Sequence, residues 1–232
     1  MKKVLSILLV FCLLTVLSAI ASAEPIERNA VYELYSAEGF YQDSVGNGES
    51  YSFHVPQFFS YCPAAEEVNK EIEERFGTRV EEQIQNMEGG YSLWMWNTEW
   101  HAYWNGSWLF LVISSDTEGG FTDYAAYGYD FATDSRVTNE MILKQMGITE
   151  EEYLENLKEK VQLMFEDMYG SLPERDREAF GYDKLLEKTL AWADMDQPMF
   201  LDGFGGIETI VKIASIAGAE WYYHLATPFA YG

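Results

Sequence analysis

YSLWMWNTEWHAYWNGSWLFLVIS, residues 91–114, decides the fold of this chain. Apolar and polar residues alternate on both sides of Asn105-Gly106, the dipeptide that most strongly marks a two-residue hairpin turn of type I′. Counting back from that turn pairs Trp104 with Ser107, Tyr103 with Trp108, Ala102 with Leu109, His101 with Phe110 and Trp100 with Leu111. Because side chains alternate across a strand, one face carries Trp96, Trp100, Trp104, Leu109, Leu111 and Ile113. The other carries Asn97, Glu99, His101, Tyr103, Trp108 and Phe110. Both faces are aromatic, so the hairpin is expected at the centre of a sheet covered on both sides.

Working outward, residues 121–131 continue as a third strand rich in Tyr and Ala. Upstream, residues 31–37 (VYELYSA) and 51–55 (YSFHV) alternate like strands around a Gly/Asn/Ser-rich turn at 44–50. Pro63 opens a helix with apolar residues at Ala65, Val68, Ile72, Phe76, Val80 and Ile84. Each step of four overshoots a full α-helical turn by about 40°, so this stripe drifts around the axis. The helix must curve or break, and Gly77 is the expected place. Further on, Thr149-Glu150-Glu151-Glu152 is a capping box, with Ile148 and Tyr153 as its hydrophobic staple. Gly170 ends that helix, and Pro173 starts another helical region that runs into Trp192. Residues 199–201 and 207–213 read as strands joined through Asp202-Gly203, and 220–225 as a last one. The expected class is α+β, a mostly antiparallel central sheet with packed helices.

The start of the chain reads differently. Met1-Lys2-Lys3 is basic, residues 4–20 are almost wholly apolar, and Ala21-Ser22-Ala23 is a small-x-small cleavage site. That is the pattern of a bacterial secretory signal peptide, residues 1–23, with an uncleaved anchor as the alternative. Cleavage leaves residues 24–232, or 209 residues (232 less 23), read as one secreted unit or as two intimate subdomains of 24–90 and 91–232. The expected address is extracytoplasmic, secreted or at the cell envelope, with no membrane span after cleavage. Without Lys2 and Lys3 the formal charge moves from −23 to −25. Such a field repels nucleic acid and anionic lipid and attracts cationic partners. An aromatic content of 16% excludes disorder. Cys62 is the one cysteine beyond the leader, so no intramolecular disulfide is expected and the fold must rest on its core. Between Tyr61 and Pro63, without a basic neighbour, it reads as a small buried apolar group and not as a nucleophile.

Short motifs recur through the rest of the chain. They are Val55-Pro56-Gln57, Val68-Asn69, Glu118-Gly119-Gly120, the run DFATDSRVT at 130–138, and Phe200-Leu201-Asp202-Gly203. In this order they resemble a family of Gram-positive extracytoplasmic domains of unknown function. Its members form the ectodomain of RsiV-type anti-sigma factors and the N-terminal region of PdaC-type peptidoglycan deacetylases. This chain departs from the family pattern at Phe121-Thr122, where Ala-His is usual, and at Asp134-Ser135, where Thr-Gly is usual. The resemblance implies an RsiV/PdaC-like α+β domain that acts as a binding or accessory module with no catalysis of its own. The partners it implies are a cationic protein, such as lysozyme, or peptidoglycan.

Candidate chemistry is sparse. His54, His101 and His224 stand at no metal-ligand spacing, and no zinc, serine-hydrolase, phosphate-loop or dinucleotide motif occurs. No cofactor is expected. Asp116, Glu118 and Asp123 gather oxygen ligands around one loop, which suits Ca²⁺ in chemistry but not in EF-hand spacing. Glu99 and His101 lie two apart on a strand and share a face. With Asp116 and Asp123 they are the residues that a carboxylate- or metal-dependent cell-wall hydrolase would use. Trp96, Trp100 and Trp104 form a row with neighbours about 13 Å apart. Exposed, such a row would stack on sugar rings in a glycan-binding module; covered by the helical segments, it would be core.

Overall fold

The computed structural model describes residues 30–59, 62–117, 120–216 and 218–230. The expected signal peptide lies outside the described residues, and so does Glu118. Six strands form the larger sheet in chain order: β1 (Val31–Gln42), β2 (Gly48–Phe58), β3 (Met95–Asn105), β4 (Trp108–Thr117), β5 (Phe121–Asp130) and β6 (Ser135–Arg136). Every pairing in it is antiparallel except β2 with β3, a parallel ladder of Ser52↔Asn97 and Phe53↔Thr98. A parallel neighbour needs a long crossover, and the helical residues between β2 and β3 supply it. Where one sheet was expected, there are two. The strands β7 (Met199–Leu201), β8 (Ile207–Ala214) and β9 (Trp221–Phe229) form a separate antiparallel meander. The fold is α+β. Among the described residues no helix is long and apolar enough to cross a membrane.

The crossover contains α1 (Pro63–Ile72), a π-helical turn (Glu73–Gly77) and α2 (Thr78–Glu88). The helix neither breaks nor ends at Gly77; it widens for the turn that Gly77 closes. Bonding from i to i+5 turns the chain through fewer degrees per residue. That offsets the drift of an every-fourth-residue stripe, and Val68, Ile72, Phe76 and Val80 all stay buried against one sheet face. After β6 come α3 (Asn139–Met146), α4 (Glu150–Tyr169), α5 (Glu174–Phe180) and α6 (Tyr182–Trp192). Thr149 caps α4 as its box predicts, its hydroxyl accepting from Glu152 N at 3.2 Å. The α3 helix is one that hydrophobic periodicity does not announce. Its signals are terminal: Thr138 Oγ1 accepts from Met141 N, and Gly147 leaves the helix with a φ of 68°.

Two cores flank the larger sheet, and β4 supplies both. Leu109, Leu111 and Ile113 join Phe53, Val55 and the α1–α2 stripe. Trp108, Phe110 and Val112 join Tyr153, Leu157, Val161 and Phe165 of α4 with Ile207, Ile210 and Ile213 of β8. Central, two-sided cover therefore holds for β4 but not for all of β3, where Glu99, His101 and Ala102 are exposed.

The hairpin turn is displaced from its expected place. Asn105 pairs with Trp108, Trp104 with Leu109 and Trp100 with Ile113, so the loop residues are Gly106-Ser107. Gly106 has a φ of 63° and Ser107 does not have a positive φ, the pattern of a type II′ turn with glycine first. Long-range bonds explain the choice. Asn105 Nδ2 donates to Asp202 O at 3.0 Å, tying the hairpin to the second sheet. Ser107 Oγ donates to Asp130 at 2.6 Å, and Phe131 N donates to Ser107 O at 3.0 Å. The register moves by two residues, so each side chain keeps the face that alternation assigns.

Several of the short motifs are hydrogen-bond anchors. Asn69 Oδ1 accepts from Phe58 N and its Nδ2 donates to Phe58 O, both at 2.8 Å, fastening α1 to the end of β2. Asp130 also accepts from Ala132 N and Thr133 Oγ1. Asp202 Oδ1 accepts from Phe204 N and Gly206 N, which forms the turn between β7 and β8.

Candidate functional site

The tryptophan row begins with an irregularity. Met95 pairs with Thr117 and Asn97 with Asp116, leaving Trp96 as the extra residue of a bulge. All three tryptophans are half-buried. Trp100 and Trp104 pack on the α1–α2 core, and the Trp104 ring lies 5.6 Å from that of Phe131. The Trp96 indole N–H donates to Glu49 of β2, and that of Trp100 donates to Glu33 of β1 at 3.1 Å. These two bonds span the junction where the β2–β3 ladder has only two residue pairs. The row thus meets the β1–β2 hairpin through its polar edges.

Glu33 is shared with His54. Nδ1 of His54 lies 3.0 Å from Glu33 and Nε2 lies 2.8 Å from Glu38. A carboxylate acceptor at each ring nitrogen requires an N–H on both, which is the imidazolium form. Partial burial would lower the His54 pKa, but the bond to Glu38 and the charge of Glu33 outweigh it and hold the pKa above its ordinary 6.5. Glu33 responds in the opposite sense: burial pushes its carboxyl up, while bonds from Ser36 and Trp100 and the His54 charge bring it below the usual range. The cluster lies on an open hairpin surface. His224 differs from it. Burial lowers its pKa, and Nε2 is buried with no partner among the described residues.

The remaining candidates do not converge. Asp116 pairs with Thr122 and Ser115 with Asp123, so Asp116 and Asp123 project to opposite faces of the sheet. Thr122 Oγ1 donates to Asp116 at 2.5 Å. Asp123 is held by Arg75 at 2.6 Å and by Arg79 at 3.0 Å. Among the described residues no three His, Cys, Asp or Glu side chains group as metal ligands. Glu99 and His101 share the exposed outer face of β3 without bonding each other, and the His101 ring lies 6.4 Å from that of Tyr103. Cys62 is half-buried and not a purely apolar filler: its sulfur hydrogen-bonds with Tyr129 OH and lies 3.8 Å from Asp134 O.

One cleft escapes the sequence reading. Its volume is about 370 Å³, and it opens between Arg79 of α2, the start of β5 at Phe121–Asp123 and the start of β9 at Trp221–Tyr223. Phe121 and Tyr222 stack with centroids 5.0 Å apart and planes at 12°. Trp221 meets Trp192 edge-on at 5.7 Å. The only sequence signals for it are two arginines four residues apart on a helix, in a chain poor in cations, and the aromatic run Trp221-Tyr222-Tyr223. No protein-family model matches this chain, and no curated protein matches it either.

Proposed function

We propose that this chain is a secreted or cell-envelope binding or accessory module, without catalysis of its own, whose partner is a cationic protein or, second, the cell-wall polymer. The observation that carries the reading is the outward face of α1, the π-helical turn and α2. Glu66, Glu67, Glu73, Glu74, Glu81, Glu82 and Glu88 are exposed there, against Lys70 as the one exposed cation. Arg75 and Arg79 on the same segment turn away to Asp123. α4 adds a second mainly acidic surface, with Glu150, Glu151, Glu152, Glu155 and Glu159 exposed beside Lys158 and Lys160. Fields of this kind steer a basic partner and raise its association rate. The signal-peptide pattern of residues 1–23 and the resemblance to RsiV-type and PdaC-type domains support the extracytoplasmic address and the Gram-positive setting.

Two alternatives receive less support. A glycan platform on Trp96, Trp100 and Trp104 would have two of its three indole N–H groups already bound to Glu49 and Glu33. A hydrolase using Glu99, His101, Asp116 and Asp123 would need them in one cleft, and Asp116 and Asp123 point to opposite faces. The test uses immobilised protein with lysozyme as a basic probe, a panel of other cationic secreted proteins and purified peptidoglycan. Replacing Glu67, Glu73, Glu74 and Glu82 by Gln is expected to slow association with the basic ligands by about tenfold at low salt, with little change in dissociation. No binding to any panel member at low salt, or equal association of parent and variant, contradicts the proposal.

A further inference from the structure

The described residues contain 12 lysines and arginines; Arg79 lines the cleft between β5 and β9, and Arg75, Lys188 and Lys212 each contact a residue that lines it. Arg75 and Arg79 clasp Asp123, and Lys188 pairs with Glu220 at 2.5 Å. Lys212 Nζ lies 4.7 Å from the Trp221 ring centre and 5.9 Å from that of Tyr223. In a chain of formal charge −23, this cleft is lined by charges of both signs, Arg79 beside Asp123 and Glu220. A cationic side chain entering it would face Arg79, and a phosphate or carboxylate would face Asp123 and Glu220. Electrostatics therefore favours an uncharged ligand here.

The walls narrow the chemistry further. Phe121 and Tyr222 stack nearly parallel on one another and line the cleft beside Trp221 and Tyr223. Aromatic faces carry negative charge density and attract the positive edge of C–H groups, which a pyranose ring presents in an array on one side. The other polar lining groups are Glu220, the Arg79–Asp123 pair and the hydroxyls of Thr117 and Thr122, which donate to Phe121 O and to Asp116 and keep lone pairs to accept. A guanidinium beside a carboxylate offers donors and acceptors together, and adjacent sugar hydroxyls need both. A cleft of about 370 Å³ is at the small end of ligand pockets, about 300–1,000 Å³, which suits one or two rings and not a long chain.

We propose that the cleft bounded by Phe121, Asp123, Trp221 and Tyr222 binds a neutral pyranose unit of a carbohydrate. The inference rests on the binding-module reading but uses a different surface from the acidic helices, so the two can fail separately. The test is calorimetric titration of the 24–232 chain with the trimers of N-acetylglucosamine and of glucose, beside amide chemical-shift mapping on the unmutated protein. At least one trimer is expected to bind, with shifts concentrated at residues 121–123 and 221–223. Phe121→Ala is expected to weaken binding by about tenfold or more, while Phe121→Tyr, which keeps the ring, retains it. Melting curves establish that each variant is folded, and the shift map on the parent stands even if Phe121→Ala is not. Absence of binding by both trimers overturns the proposal, as do shifts centred away from the cleft or unchanged affinity in folded Phe121→Ala. A parent that binds lysozyme but neither trimer loses the cleft alone; one that binds a trimer but no cationic ligand loses the charge-steered reading alone.

Discussion

Besides its neighbour Ser36, Glu33 accepts from the Trp100 indole at 3.1 Å and the His54 imidazole at 3.0 Å, side chains from different parts of the chain. It joins the β1–β2 hairpin to β3 where the backbone ladder has only two residue pairs. This contact makes stability depend on pH in a definite direction. His54 has a folded pKa raised above 6.5, so its contribution is complete below that value and is lost as pH rises through the folded pKa. His224, lowered by burial, contributes above 6.5 and loses that contribution as pH falls. The two oppose each other in the parent, and His54→Gln separates them. Melting temperatures from about pH 5 to about pH 9 should show the largest deficit of His54→Gln at the acid end, shrinking upward. A deficit that is constant across that range would refute the imidazolium assignment. The tryptophans call for a second measurement. Trp104→Ala should cost about 2–3 kcal/mol, below the ~3–5 kcal/mol of a fully buried aromatic, because the ring is only half-buried. Unchanged denaturant midpoints for Trp100→Ala and Trp104→Ala would show the row to be a surface feature and revive the glycan platform.

At the scale of elements, side-chain anchors hold helices to strands. Asn69→Ala removes both bonds to the Phe58 backbone and is expected to cost about 2 kcal/mol, read from chemical denaturation. A loss below about 0.5 kcal/mol would mean that α1 is held by its apolar stripe alone. Thr149→Ala should cost about 1 kcal/mol and increase amide exchange in the first turn of α4, without effect on α3. Elements of this kind were legible where one local rule decides them: alternation for β2 to β5, the capping box for α4, glycine after its last turn. What was not legible depends on distant partners. Asn105-Gly106 has the local preference for a type I′ turn, but Asp202 and Asp130, far along the chain, capture Asn105 and Ser107 and select Gly106-Ser107 instead. The drifting stripe from Val68 to Val80 announces a departure near Gly77, yet not that it would be a wide turn in place of a break. Alternation tells that 199–201 and 207–213 are strands, but not that they leave the main sheet for one of their own. The cleft was invisible for the same reason, since Arg79, Phe121 and Tyr222 meet only once β9 packs beside β5.

Over the whole molecule, two cores share one sheet, and acidic helices form outward faces on both of its sides. The charge is arranged as well as abundant. Exposed carboxylates outnumber exposed cations on the helices, and four cations stand at or beside one cleft. Under the proposed function, this acidic surface steers a basic partner, which mere solvation would not do. The most direct measurement of that role is the association rate with a basic protein, lysozyme as probe, across a salt series from about 0.05 M to about 1 M, over which the screening length shortens to about 3 Å. Association is expected to slow steeply with salt while dissociation changes little. An association rate independent of salt would contradict this expectation and reduce the charge of this protein to solvation.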